Sequence, residues 1–335
     1  MPCPAVSYSC VVFIEEGVHL SIDPELGFFL KELRAGWSKY PPFDRLTFPE
    51  RRRVAESVRA RWNVGGPQMA RTIERRFDPG AGELRIRVHL PVESTEPMPA
   101  LVYLHGGGFT LFSIDSHDRL MREYAQQGCF AVIGVDYPLA PEHKYPVALD
   151  RIEQFLLWIK GHGVELGVDP ARIALGGDSA GANMSFATGL RLRARGEARL
   201  LRAILSNYGG YDSSISDMAE SRFGGDTSIM SRSEAEEYYG NYCNGQNEAD
   251  DPHVYPIRAD LSGFPPVFLV IAECDILAEQ GIAMASRLRE AGVETHSRTY
   301  PGAIHSFLEA MSVSGVARAA IADGASFVRD KLQCQ

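Results

Sequence analysis

Short apolar runs that alternate with helical stretches constrain the fold of this chain more than any other feature of its sequence. Stretches with helical periodicity lie between the runs, and strands that are apolar on both faces favour a parallel sheet covered by helices. The sequence therefore predicts an α/β fold with helices on both faces of a mostly parallel central sheet. The runs are 100–104, 130–135, 172–175, 203–205 and 267–272, and the helical stretches are 117–127, 147–162, 180–195 and 278–291.

Two regions stand apart from this alternation. The first seventy or so residues read as helices, and Asp23 before Pro24 is a typical helix start. A second region, rich in Tyr, Ser, Asp and Gly, separates two of the strands and is too long for a plain connection. We predict an N-terminal helical cap segment at 1–70 and a main α/β domain at 71–335, interrupted by a cap insertion at about 207–256.

Charge and cysteine usage narrow the function classes. The net charge is −9, so nothing in the composition favours nucleic acid or an anionic membrane as a partner. No apolar run approaches the roughly 18 residues of a membrane span, and the amino terminus lacks the basic start of a signal peptide. The cysteines are scattered without a C-x-x-C spacing. We predict a cytoplasmic protein with no metal, no cofactor, no nucleic-acid partner and no membrane partner.

A glycine-flanked serine follows the run 172–175. The sequence Gly177-Asp178-Ser179-Ala180-Gly181 stands between a predicted strand and a predicted helix. In that setting G-x-S-x-G describes a sharp turn that exposes the serine oxygen, and the free amides of the helix start favour an anion there. Alone the motif is weak. In this context it predicts that Ser179 is a nucleophile.

A serine hydroxyl needs a base and a carboxylate that orients the base. In folds of this kind the chain order is serine, acid, histidine. Asp275 follows the run 267–272, and His305 follows a later strand-to-loop transition. Glu273 is the alternative acid, whereas His296 falls inside a strand pattern. The sequence predicts a triad of Ser179, Asp275 and His305.

A glycine-rich turn follows the run 100–104. Glycines let the backbone approach a substrate and present amides without obstruction. The amides of Gly107, Gly108 and Ala180 are the predicted oxyanion donors, with Gly106 as an alternative. Nearby aromatic and apolar residues are predicted to line the substrate pocket: Phe109, Leu111, Phe112, Tyr208 and Tyr211.

Together these motifs resemble the hormone-sensitive-lipase-like family of α/β-hydrolase esterases, and bacterial acetyl esterases most closely. The resemblance covers about residues 75 to 332. It implies an α/β-hydrolase fold with a helical cap. The matching segments are HGGGF (105–109), DSHDRLMREYA (115–125), DYPLAPE (136–142), GDSAG (177–181), ECDIL (273–277) and YPGAIHSF (300–307).

The resemblance also implies residue roles. Ser179 is the nucleophile, Asp275 the orienting acid and His305 the base. The family often has proline after the acid, where this chain has Ile276, a difference that removes no catalytic group. Residues that would hold the glycine and serine turns in place are His105, Gly106, Tyr137, Glu142 and Asp178.

The expected function is hydrolysis of small-molecule carboxylic esters with short, acetyl-like acyl groups through an acyl-enzyme. The same triad would serve a deacetylase, an amidase or an acyltransferase of a small metabolite, and sequence does not separate these. A non-catalytic ligand-binding protein is the other class. Plant gibberellin receptors keep this fold without the triad histidine, and the presence of His305 argues against that reading. Dimers through the last strand and helix (294–332) are common in this family, which allows a homodimer.

Overall fold

A computed structural model describes residues 21–78, 82–225, 228–245, 248 and 250–333. These residues form a sheet of eight strands in the order β1-β2-β4-β3-β5-β6-β7-β8. β2 pairs antiparallel with β1 and β4, and the other pairings are parallel. The strands are β1 Arg71–Phe77, β2 Leu84–Leu90, β3 Met98–Leu104, β4 Ala131–Asp136, β5 Val168–Asp178, β6 Leu201–Asn207, β7 Val267–Cys274 and β8 Thr295–Ile304.

Helices cover both faces of the sheet, so the predicted α/β architecture is confirmed. α3 and α9 pack together on one face with α1 and α2, while α4 and α5 bury the other face. α8 packs against β7 in a third apolar cluster. The helices are α1 Pro24–Trp37, α2 Phe48–Arg59, α3 Asp118–Gly128, α4 Val147–His162, α5 Ala180–Ala194, α6 Asp217–Phe223, α7 Arg232–Tyr242, α8 Ala278–Glu290 and α9 Gly315–Gln333.

Local sequence signals account for the helix starts. The Asp23 carboxylate accepts from the backbone amides of Glu25 and Leu26, and Pro24 takes the first helical position of α1. Both features were predicted from the sequence. The first twenty residues of the predicted N-terminal cap segment lie outside the described residues.

One strand was not predicted. β1 has the sequence RTIERRF, lies at the edge of the sheet beside β2, and has mostly exposed side chains. Of these residues only Ile73 is fully buried. An edge strand of this kind lacks the continuous apolar run that marked the central strands.

The parallel strands bring the sequence motifs together at the carboxyl ends of the strands. β3, β5, β7 and β8 end immediately before His105, Ser179, Asp275 and His305. Ligands of open α/β sheets bind outside the carboxyl ends of the strands. None of the helices in the described ranges is long and apolar enough to cross a membrane.

Candidate active site

The serine turn is strained and tightly packed. Ser179 has φ 51° and ψ −115°, a conformation that side-chain-bearing residues rarely adopt. A Cβ at Gly177 or at Gly181 would overlap the carbonyl oxygen of Leu104. The two glycines therefore let the turn approach the end of β3 closely, and Ser179 lies at the start of α5.

The structure brings Ser179, His305 and Asp275 into one line of hydrogen bonds. Nε2 of His305 lies 3.0 Å from Oγ of Ser179, and Nδ1 lies 2.7 Å from Oδ2 of Asp275. The other Asp275 oxygen accepts from the Leu277 amide at 3.0 Å. The loop thus holds the carboxylate without the proline that the family often has at position 276.

The alternative acid and the alternative histidine lie elsewhere. The carboxylate of Glu273 accepts from the backbone amide of Gly302 at 2.8 Å. His296 is an exposed residue of β8 beside Glu294. Among the described residues, the imidazole hydrogen-bonded to Ser179 is that of His305, and the carboxylate hydrogen-bonded to His305 is that of Asp275.

The predicted oxyanion amides are free. Within the described ranges, no hydrogen bond is donated by the amides of Gly107 and Gly108, nor by that of Ala180 at the first position of α5. The Gly106 amide donates to Oδ1 of Asp178 at 3.1 Å. The Gly106 amide, the alternative donor, is therefore already engaged by Asp178.

The residues predicted as supports divide into two groups. His105 and Tyr137 are buried and stacked with ring centroids 4.3 Å apart, and the Tyr137 hydroxyl donates to the His105 carbonyl at 2.7 Å. Glu142 instead pairs with Arg52 of α2 at 2.5 Å. Arg52 also donates to the carbonyl of Thr110 at 2.9 Å, so Glu142 acts on the glycine turn at most through that arginine.

A cavity of about 770 Å³ lies over the strand ends and reaches Ser179, His305, Gly107 and Gly108. That volume is typical of small-molecule sites. The walls come from α1, the loop 38–43, α2, α6, residues 225 and 228–231, and α7. Both predicted cap regions thus contribute walls.

Two of the five predicted pocket residues, Leu111 and Phe112, line this cavity. The other three, Phe109, Tyr208 and Tyr211, are buried and are not among the residues that line this cavity. Phe109 stacks on Tyr242 at 4.0 Å, and Tyr208 packs edge-on against the His305 imidazole at 5.2 Å. Tyr211 lies between β6 and α5, where its hydroxyl contacts Ser206. These aromatic residues lie near the motifs in sequence, but their rings pack in the interior and not against the cavity.

Three features of the site were not found from the sequence. The ring of Tyr238 in α7 lies against Gly108, where an added Cβ would overlap it. Arg59 and Glu309 form a buried ion pair at 2.8 Å beside the cavity. His117 is buried next to Asp178. Each contact joins residues far apart in the chain, and local motifs carry no signal of it.

The electrostatics of His305 favour its charged form. Burial disfavours the imidazolium, but the Asp275 carboxylate and, to a smaller extent, that of Asp178 together raise the pKa of His305 above its ordinary 6.5. Arg59 opposes this rise. The arrangement can therefore take a proton from Ser179 and hold it next to Asp275.

This shift predicts the pH dependence of kcat/KM. The base must be deprotonated, so activity rises with pH through the pKa of His305, and that midpoint lies above 6.5. Hydrolysis of p-nitrophenyl acetate from pH 5 to 9 measures it. His296→Gln, which alters an exposed histidine, leaves the midpoint in place. A midpoint below 6.5 contradicts the electrostatic account.

The fold and the strand-end position of the cavity define the class of protein, an α/β hydrolase. Residues 101–309 match the family model described as alpha/beta hydrolase fold. Among the described residues, no group of three or more His, Cys, Asp or Glu side chains is arranged to hold a metal ion.

Relatives of known activity make the assignment more specific. The chain is 34% identical to a carboxylesterase of Mycobacterium tuberculosis over 235 residues, which are 68% of this chain and 72% of the relative. It is 31% identical to an ethyl acetate hydrolase of Pseudomonas putida over 301 residues, 88% of this chain and 94% of the relative.

A solved structure agrees with these relatives. The hyperthermophilic esterase of Pyrobaculum calidifontis superposes with a TM-score of 0.85 and 28% identity, covering 92% of this chain and 98% of the esterase. The chain belongs to the α/β-hydrolase family, in its hormone-sensitive-lipase-like group, and is an ester hydrolase.

Proposed function

We propose that this protein hydrolyses short-chain carboxylic esters through an acyl-enzyme formed on Ser179. One observation carries the proposal: Ser179, His305 and Asp275 form a continuous line of hydrogen bonds at a cavity that also reaches Gly107 and Gly108. A hydroxyl beside an oriented base and free amides is the arrangement that acyl transfer requires.

The steps follow from the contacts. Oγ of Ser179 attacks the ester carbonyl while Nε2 of His305 takes its proton, and Asp275 stabilises the resulting imidazolium. The carbonyl oxygen, now an oxyanion, accepts from the amides of Gly107, Gly108 and Ala180. The imidazolium then protonates the leaving alcohol. Water, activated by the same imidazole, releases the acid and regenerates the serine.

The acyl group is proposed to be short. Tyr238 lies directly against Gly108 and, with Leu111 and Phe112, forms the cavity wall beside the oxyanion turn. An acyl chain attached to Ser179 would meet these side chains after a few carbons. The relative from Pseudomonas putida acts on ethyl acetate, which supports the same preference.

Replacing Tyr238 by alanine should lengthen the accepted acyl chain. We expect the ratio of kcat/KM for p-nitrophenyl octanoate over acetate to rise about tenfold, since a few methylenes then fit where the ring was. Tyr40→Ala is the matched control, because Tyr40 lines the same cavity but is 39% exposed. A wild-type preference for chains beyond about eight carbons, or an unchanged ratio in the Tyr238 variant, contradicts this proposal.

The cap regions are proposed to select the substrate. α1 and the loop after it, together with α6, α7 and the described residues between those two helices, supply most of the cavity wall, while the strand ends supply the reacting groups. We therefore propose residues 1–70 and 207–256 as the cap of a catalytic domain at 71–335. The homodimer through 294–332 stays a prediction.

A substrate panel tests the reaction class. Acetyl esters, acetyl amides and acetylated natural products are compared at equal concentration, with and without an added acceptor alcohol. Hydrolysis of the simple esters, abolished by a serine-directed phosphonate, is the expected result. Faster cleavage of the amides, or transfer to the alcohol in preference to water, would favour the amidase or acyltransferase reading.

A further inference from the structure

A second buried histidine–carboxylate pair lies beside the serine turn. His117 stands at the start of α3, and its Nε2 is 3.4 Å from Oδ2 of Asp178. Both residues are only 1% exposed. The distance is longer than a well-formed hydrogen bond, so the attraction between them is mainly Coulombic. The proposed reaction transfers no proton to or from either group.

Asp178 joins the serine turn to the oxyanion turn. It precedes Ser179, and its Oδ1 accepts from the Gly106 amide at 3.1 Å and from the Tyr103 hydroxyl at 2.9 Å. A Cβ at Gly106 would overlap this carboxylate. The position of Gly107, one residue further, therefore depends on Asp178.

The hydrogen bond between Asp178 and the Gly106 amide places a negative charge next to the oxyanion site. Burial opposes ionisation of Asp178, but His117 and the Tyr103 hydroxyl outweigh burial and hold its pKa below the usual value. A buried carboxylate near Gly107 repels the negative charge that develops on the substrate oxygen. Catalysis then requires a nearby positive charge to offset it.

The groups around His117 and His105 indicate which of the two imidazoles supplies this positive charge. Burial disfavours its charged form, but Asp178 and the more distant Glu309 raise the pKa of His117, against Arg59 and the positive end of α3. The neighbouring His105 behaves oppositely, since burial and His117 lower its pKa to about 4. Charged or titratable groups facing His117 within the described residues are Asp178, Glu309, Glu56, Arg59 and His105.

We propose that His117 is a positioning residue for ester hydrolysis. Its imidazolium neutralises the Asp178 carboxylate, which holds the oxyanion turn in place. The carboxylate then does not repel the negative charge that develops on the substrate oxygen. The inference rests on the proposed function. It adds a role for a histidine that contacts neither substrate nor the triad directly.

A double-mutant cycle tests it. Glutamine at position 117 keeps a donor for Asp178 but removes the charge. We expect His117→Gln to lower kcat on p-nitrophenyl acetate about 10- to 100-fold with little change in KM. Asp178→Asn keeps an acceptor oxygen for Gly106 and removes the anion, so in that background His117→Gln should have almost no further effect.

A matched control separates charge from folding. His89 is also 1% exposed and pairs with a carboxylate, Asp118, at 3.2 Å, but it lies on β2 away from the cavity. His89→Gln should keep the wild-type kcat per active site, with sites counted by phosphonate labelling. If His117→Gln and His89→Gln lowered kcat by the same factor, His117 would have only a structural role.

The outcomes are distinguishable. An unchanged kcat in His117→Gln, or an equal loss in both backgrounds, overturns the inference while the proposed function stands. A wild-type protein that hydrolyses no ester overturns the proposed function itself. If His117→Gln does not fold, Asp178→Asn is compared with the double variant, and a further fall in kcat there also overturns the inference.

Discussion

We expect replacement of Ser179 by alanine to lower kcat for p-nitrophenyl acetate by about 10⁵- to 10⁶-fold. The alanine variant retains the amides of Gly107, Gly108 and Ala180, but no atom remains 3.0 Å from Nε2 of His305 to attack the carbonyl. The residual rate then comes from oxyanion stabilisation and binding alone. Loss of the acyl-enzyme burst in stopped-flow kinetics measures the same step directly.

Ser38→Ala provides the control. Ser38 lines the same cavity, and its hydroxyl donates to the Ala35 carbonyl at 3.2 Å rather than contacting a histidine. It should keep the wild-type kcat. An alanine variant of Ser179 that turns over at near the wild-type rate would remove the assignment of the nucleophile.

Asp275→Asn is expected to lower kcat by about 10⁴-fold. The asparagine can present its amide to Nδ1 of His305, which favours the tautomer with a proton on Nε2 and leaves no base facing Ser179. The variant also removes the carboxylate that raises the pKa of His305. The midpoint of the remaining kcat/KM profile should therefore move to lower pH.

Glu273→Gln is the matched substitution on the neighbouring acid. A glutamine oxygen can still accept from the Gly302 amide, so the loop that carries His305 keeps its anchor. Its kcat should stay near the wild-type value. Equal losses in the two variants would mean that Asp275 acts through loop structure and not through its charge on His305.

The central strands and their helices were predictable because burial on both faces leaves a continuous apolar run in the sequence. α4 begins and ends at the predicted residues, 147 and 162. β1 was missed because an exposed edge strand needs few apolar residues. Ser179, Asp275 and His305 could be proposed from order and strand-end position, since parallel strands carry such positions to a shared edge.

The pocket could not be predicted in the same way. Phe109, Tyr208 and Tyr211 are aromatic and near the motifs, yet all three are buried in packing contacts. Whether an aromatic side chain faces a cavity or the core depends on what packs over it, and α7 comes from a distant part of the chain. Tyr238 reaches Gly108 across 130 residues of sequence for this reason.

The sequence by itself determined the central strands of the sheet, the turn at Ser179 and the identity of the groups proposed for acyl transfer. These depend on local patterns: apolar runs, the glycines that flank Ser179, and motifs at strand ends. Only the tertiary structure decided how buried charges compensate one another. Coulombic attraction depends on distance through space, so the pairing of His117 with Asp178 and of Arg59 with Glu309 exists only in the folded chain.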